Sequence, residues 1–302
     1  SDAYGFDGND FERKDQAFNN NMLINGGFDI WQRGTSFTAG STQYTADRWV
    51  VTPTQGVIRS QFLPPTPNAA YSLRLIPTAG NLALLRYGVE LVDTIGTQLA
   101  PFAQNNDYTI SGWFYADNAN TLDLKVVFTD NPATQTNAQT IIAGGTAIAT
   151  LPAATWTYVE YTFNTGTVAP IASNTCLGLS FNNDADGGPM SFSEIKLEEG
   201  ATATPFTRAG NNIAGELAMC QRYYCRGDTD VLLSAYATVG MGATIVFPQS
   251  MRVAPALAVT TVGYTSSSSS ITVGGFVEAV SSALPSASNP KYVDSWIAEA
   301  EL

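Results

Sequence analysis

From residue 22 to about residue 208, short apolar runs alternate with clusters of Pro, Gly, Asn and Asp. This is the spacing that the strands of a β-sandwich produce. MLINGGFDI, ADRWVV, AYSLRLI, NLALLRYGVELV, YTISGWFYA, TLDLKVVF, TWTYVEYTF, TCLGLSF and PMSFSEIKLEE predict about nine or ten strands, joined by turn-like QNND, TDNPATQ and NNDADGG. In YTISGWFYA the period of two puts Ile110, Gly112 and Phe114 on one face and Ser111, Trp113 and Tyr115 on the other, so one face can enter a core while the second carries aromatic rings outward. Residues 211–225, NNIAGELAMCQRYYC, make one helical stretch, with Asn at its start, Glu216 in its first turn and Ile213, Leu217, Cys220 and Tyr224 at helical spacing. VLLSAYATV, GATIVFP, ALAVTTV, SITVGGFVEAV and KYVDSWIAEAEL then predict a second, smaller set of strands. The expectation is an all-β chain with a polar connecting arm over residues 1–21, a sandwich over 22–208, a linker helix over 209–226 and a smaller β domain over 227–302. The arm reads either as a joint to an upstream shaft, with a short helix near Asp10 to Phe18, or as a frayed terminus.

Composition narrows the class. Apolar residues make up 44% but charged residues only 13%, with Gly, Ser, Thr, Asn and Ala filling the difference, as in secreted or particle-bound β proteins. A net charge of -12 and a pI near 4.3 repel phosphate backbones, so nucleic acid is not an expected partner. No run approaches the roughly 18 apolar residues of a spanning helix, so no membrane insertion is expected. No charged n-region followed by an apolar stretch opens the chain, and a start at Ser1 fits processing or trimming. Cys176, Cys220 and Cys225 are odd in number and lack CxxC spacing, and the chain has no histidine, so neither a disulfide framework nor a zinc site is implied. The missing histidine also removes the usual general base of Ser and Cys hydrolases, and no fixed-period repeat of a β-helix is visible; an enzyme is not expected.

Four segments carry a resemblance: NMLINGGFDIWQRGTSF, YTADRWVV, IKLEEGATATPFTR, and, seven residues further on, ELAMCQRYY. Together they resemble bacteriophage tail-fibre and related virion proteins, whose sandwich opens N-L-hydrophobic-N-G-x-F-x-x-W-Q-R-G, closes Q/K-L-E-x-G-x-x-A-T-P-F and runs into E-L-x-x-C-Q-R-Y. The same sandwich is similar to carbohydrate-binding modules through LINGGFDIW, YTISGWFYAD, TWTYVEYTF and SFSEIKLEEG. Phe247, Pro248, Met251, Arg252 and Pro255, with the closing Ala300, Glu301 and Leu302, resemble the C-terminal tip domains of such fibres. The resemblance implies a jelly-roll sandwich and a tip domain, a homotrimer, a virion location, contact with other tail or head proteins through the arm, and adhesion to host cell-surface glycan. Two other roles stay open: a head-fibre, decoration or tail-assembly component without receptor binding, and a glycan-degrading virion enzyme.

Sugar recognition needs a flat apolar face against the ring beside planar polar groups. Trp113 and Tyr115 are the first candidates, with Tyr87 and Arg86 beside them if the two strands share a sheet; Trp31 and Trp49 are expected to pack the core. Calcium takes many oxygen ligands, and Asn182, Asn183, Asp184 and Asp186 supply clustered ones, although FNNDADGG reads first as a plain polar turn. By resemblance to the carbohydrate-binding modules, a structural calcium would instead fall on the stretch from Asn25 to Asp29 with Glu194. Carboxylates suited to glycoside cleavage, Asp123 with Glu160 or Glu90 with Asp93, cannot be told from surface acids. Arg226, Gly227 and Asp228 spell an integrin-type tripeptide and read as a polar turn after the helix.

Overall fold

Alternation across the pleat decides which side chains meet in the interior of a sandwich. A computed structural model describes residues 21–65, 67–91, 102–183, 188–232, 234–236, 240–262, 268–280 and 292–301. All of the expected arm except Asn21, together with Asp93, Asp184 and Asp186, lies outside them. The chain divides into two units, one through Leu217 and one over Ala218–Glu301.

The first unit is a jelly-roll sandwich of two six-stranded antiparallel sheets. The first sheet runs β1 (Ser36–Phe37), β4 (Gln55–Ser60), β5 (Ser72–Pro77), β12 (Met190–Glu199), β7 (Asp107–Ala116), β10 (Thr155–Asn164). The second runs β2 (Gln43–Tyr44), β3 (Trp49–Val51), β6 (Leu84–Glu90), β11 (Cys176–Asn183), β8 (Asn120–Thr129), β9 (Gln139–Leu151). Phe114 and Phe192 from the first sheet meet Phe181 from the second, with centroids 5.6–6.3 Å apart, and Leu73, Leu75, Leu85 and Leu124 complete a shared core.

The run Met22 to Ile30 is not the strand its apolar pattern predicts but a set of turns, with Asn25 and Phe28 in the left-handed region at φ 59° and 56°. This coil is tied to β12 at two points, Met22 N to Leu197 O (2.8 Å) and Ile195 N to Gly26 O (2.9 Å). It also fills the core with Leu23 and with Phe28, whose ring lies 4.9 Å from Trp49. Four strands, β1, β2, β4 and β9, lie outside the predicted runs; β1 and β2 are two residues each, and QGVIRS and QTIIAGGTAIATL carry Gly inside the strand, which weakens the β signal.

The helix α1 spans Ile213–Gln221, shorter than the predicted stretch. Asn212 caps it, its Oδ1 accepting from Gly215 N at 2.9 Å. Tyr224 and Cys225 belong instead to β13 (Tyr224–Leu232), because ladder bonds to β19 (Tyr292–Glu299) replace the helical ones. In the second unit β13, β19 and β16 (Ala256–Val262) form one sheet. A second sheet there has the order β14 (Ser234–Tyr236), β15 (Gly240–Val246), β18 (Gly275–Val280), β17 (Ser268–Thr272). Phe247, Phe276 and Trp296, the last from β19, form the aromatic core of this unit. Arg226, Gly227 and Asp228 are not a turn; they pair in β13 with Ile297, Trp296 and Ser295. A Cβ on Gly227 would come within 2.5 Å of the Trp296 ring, so glycine is what lets that ring pack.

Candidate functional site: an aromatic patch on the first sheet

The centre of the first sheet's outward face is covered. Residues 200–208 fold across it: Thr109 Oγ1 donates to Gly200 O at 2.7 Å, and Ala203 N donates to Glu160 Oε1 at 2.9 Å. Lys196 and Glu198, both about 1% exposed and paired at 3.1 Å, hold Thr204 and Pro205 from beneath. The closing motif K-L-E-x-G-x-x-A-T-P is therefore a latch, its two charges neutralising each other where water is excluded.

Beyond this latch β7 and β10 pair so that Trp156 faces Tyr115 and Tyr158 faces Trp113. The rings touch across the strands, Tyr115–Trp156 at 5.6 Å and Trp113–Tyr158 at 5.4 Å. Phe62, just past β4, reaches over to the same place and lies 4.8 Å edge-on from Tyr115 and 5.5 Å from Trp156. Its backbone is fixed by Phe62 N donating to Ser60 Oγ (3.0 Å) and Ser72 Oγ donating to Phe62 O (2.7 Å). Five rings from three chain segments thus converge on one outward face. Phe62 and Tyr158 are 46% and 44% exposed, and Trp113, Tyr115 and Trp156 are half-buried. The indole N–H of Trp156 is shielded from water and has no protein acceptor. At the rim Arg74 grips Asp117 with two bonds of 2.8 and 3.0 Å and donates to Ser191 Oγ at 3.3 Å. Such a surface offers flat apolar faces next to planar, fixed polar groups.

Trp113 and Tyr115 lie in this patch, on the face their period predicts. Tyr87 and Arg86 do not join them, because β6 belongs to the other sheet. Tyr87 is buried, 4.7 Å from Trp49, and its hydroxyl accepts from Ile24 N; Arg86 faces outward on the opposite side of the sandwich. Trp156, Tyr158 and Phe62 were not foreseen. The first two carry the same i, i+2 aromatic spacing as Trp113 and Tyr115, a signal present in TWTYVEYTF, whereas Phe62 arrives through a long-range fold with no local signature. Asp123 and Glu160 stand in different sheets.

The residues assigned by resemblance to calcium are engaged with protein groups. The Asn25 side chain closes the opening coil, bonding Ile30 N, Ile30 O and Asp47 O at 2.9–3.1 Å. Asp29 accepts from Ala70 N at 2.7 Å and is paired with Arg208 at 2.6 Å, while Glu194 takes both the backbone and side-chain N–H of Asn68. Arg208 supplies the positive charge a metal would bring. Among the described residues no three His, Cys, Asp or Glu converge on one point. Beside this cluster Glu216 accepts from Asn25 N at 2.9 Å, and its other oxygen is buried without a partner. Burial, opposed by the Asn25 hydrogen bond and Arg208 and assisted by Asp29, pushes its carboxyl up to about 7. Burial also raises Asp29, against the Ala70 bond and Arg208.

No protein-family model and no curated protein matches this sequence. Among solved structures, the chain is similar to the enzymatically active domain of tailspike protein 4 of bacteriophage CBA120, with 12% identity, TM-score 0.38, 60% of this chain covered and 21% of that one. It thus spans about a fifth of that tailspike chain. It is also similar to a putative sugar binding protein from Bacteroides thetaiotaomicron (14%, TM-score 0.39, 60% and 100% covered) and to the CBM22-1 xylan-binding domain of Paenibacillus barcinonensis Xyn10C (14%, TM-score 0.34, 56% and 94%).

Proposed function

We propose that this chain is a component of a phage virion fibre, assembled as a homotrimer, whose sandwich adheres to host cell-surface glycan through the aromatic patch of β7 and β10. The observation that carries the binding is the convergence of Phe62, Trp113, Tyr115, Trp156 and Tyr158 on an outward face, two of them more than two-fifths exposed. A folded chain gains nothing in core stability from rings left in water, while a pyranose covers them with its C–H face. The motifs resembling virion fibre proteins support the location: each has a structural task here, the opening coil on β12 and the latch on Lys196 and Glu198. A flat, partly exposed patch covers only one face of a sugar ring and leaves the rest in water, so single sites are weak. Three linked sites raise avidity by roughly 10² to 10⁴-fold when receptor spacing suits them.

The test is adsorption of the purified full chain to host cells and to isolated surface polysaccharide, beside a Trp156→Ala/Tyr158→Ala variant checked for an unchanged melting profile. Binding lost in the variant, with no reducing ends released, is the expected result. Equal adsorption by both proteins, or none by either as intact trimers, refutes the reading; released reducing ends would make the chain an enzyme.

A further inference from the structure

We infer that the outward face of the second sheet carries a separate subsite for an oxyanion, the carboxylate or phosphate of an acidic saccharide, formed by Arg86 and Lys125 on either side of Ser180. Ser180 of β11 pairs with Arg86 of β6 on one side and with Lys125 of β8 on the other. All three side chains therefore leave the sheet on the same face, since their neighbours Leu85, Tyr87, Leu124, Val126, Leu179 and Phe181 are buried in the core. Two cations thus stand two strands apart, about 10 Å between backbones. Neither has a carboxylate partner among the described residues. Asp123, two residues along β8, is engaged by Asn182 Nδ2 at 3.4 Å.

The surroundings are fixed rather than loose. Arg86 Nη1 donates to Ala133 O, which orients the guanidinium, and its Nε is buried with no acceptor. Gln135, held at φ 55° in the turn between β8 and β9, donates to the buried Ser180 Oγ at 2.8 Å and so covers the hydroxyl, leaving Arg86 and Lys125 as the groups that reach an anion. Burial lowers the pKa of Arg86; for Lys125 burial is again the main cause and the charge of Arg86 the second. In a chain with 14 basic and 26 acidic residues, two cations that disfavour each other and form no ion pair among the described residues cost stability, and a bound anion relieves that cost.

The experiment is calorimetric titration of the full chain with an oligogalacturonate, with inorganic phosphate and with a neutral oligosaccharide, at low and high salt. Binding of the carboxylate or the phosphate probe that weakens with salt is expected, and the two arms identify which group is taken. Lys125→Gln should weaken it about tenfold or more, the loss of one charge-assisted contact. Lys125→Arg should restore it, and ligand-free Lys125→Gln should melt higher than wild type because the repulsion is gone. Trp156→Ala/Tyr158→Ala should leave this binding intact, which separates it from the aromatic patch on the opposite face. The inference is overturned if neither acidic probe binds at millimolar concentration, if Lys125→Gln binds as wild type does, or if Lys125→Gln melts lower.

Discussion

Glu216 shows how a single residue can set a pH dependence. Its side chain is fully buried in the first turn of α1, with one oxygen on Asn25 N and the other unpartnered, beside the ion pair of Asp29 and Arg208. Its folded pKa of about 7 lies above the unfolded 4.5. An acid raised in this way favours the folded state below the unfolded value, and that stability is lost as pH rises through about 7. The difference of about 2.5 pH units corresponds to at most about 3–4 kcal/mol, at 1.36 kcal/mol per unit. Urea unfolding at pH 4.5 and pH 8 should show wild type losing stability over this range relative to Glu216→Gln, which keeps the neutral, hydrogen-bonding form. Parallel pH profiles for the two proteins would contradict this account.

At the scale of elements, the opening coil and the bulge of β12 are built for each other. The register of β12 against β7 shifts between Ser193 and Lys196, with Glu194 at φ 55°, and this turns Ile195 into the core against Gly112 and Gly26. A Cβ on Gly26 would lie 2.1 Å from Ile195 O, a backbone atom that cannot swing aside. Gly26→Ala should therefore cost about 3 kcal/mol, whereas Gly144→Ala, whose Cβ would meet only the Lys125 stem at 3.6 Å, should change the denaturant midpoint little. Equal midpoints for the two variants would mean the coil does not lock β12. This coil also marks where sequence reading stops. Period two made the two faces of YTISGWFYA legible, so Trp113 and Tyr115 could be placed outward from residues alone. Which sheet a strand joins is a long-range choice, and that is why the sequence leaves Arg86 beside Trp113 only on condition of a shared sheet, a condition the fold does not meet. MLINGGFDI reads as a strand by hydrophobicity alone, because the reason for its turns, the approach of Gly26 to Ile195, lies about 170 residues away.

For the whole molecule the proposed threefold assembly has a physical counterpart in the second unit. Its cluster of buried residues is small among the described ones, while Val246 is 73%, Val273 41% and Val277 36% exposed. Small units bury too little apolar area to be comfortably stable alone, and association supplies what they lack. Each chain also carries a net charge of -12, so bringing three together concentrates like charge that salt must screen. Light scattering at physiological salt should give three times 32.1 kDa, about 96 kDa, with dissociation favoured at low ionic strength. Val246→Asp, harmless on a free surface, should shift the mass toward 32.1 kDa if that strand lies at the contact between copies. A monomer mass for wild type at micromolar concentration would remove the trimer, and with it the avidity on which firm adhesion by weak aromatic sites depends.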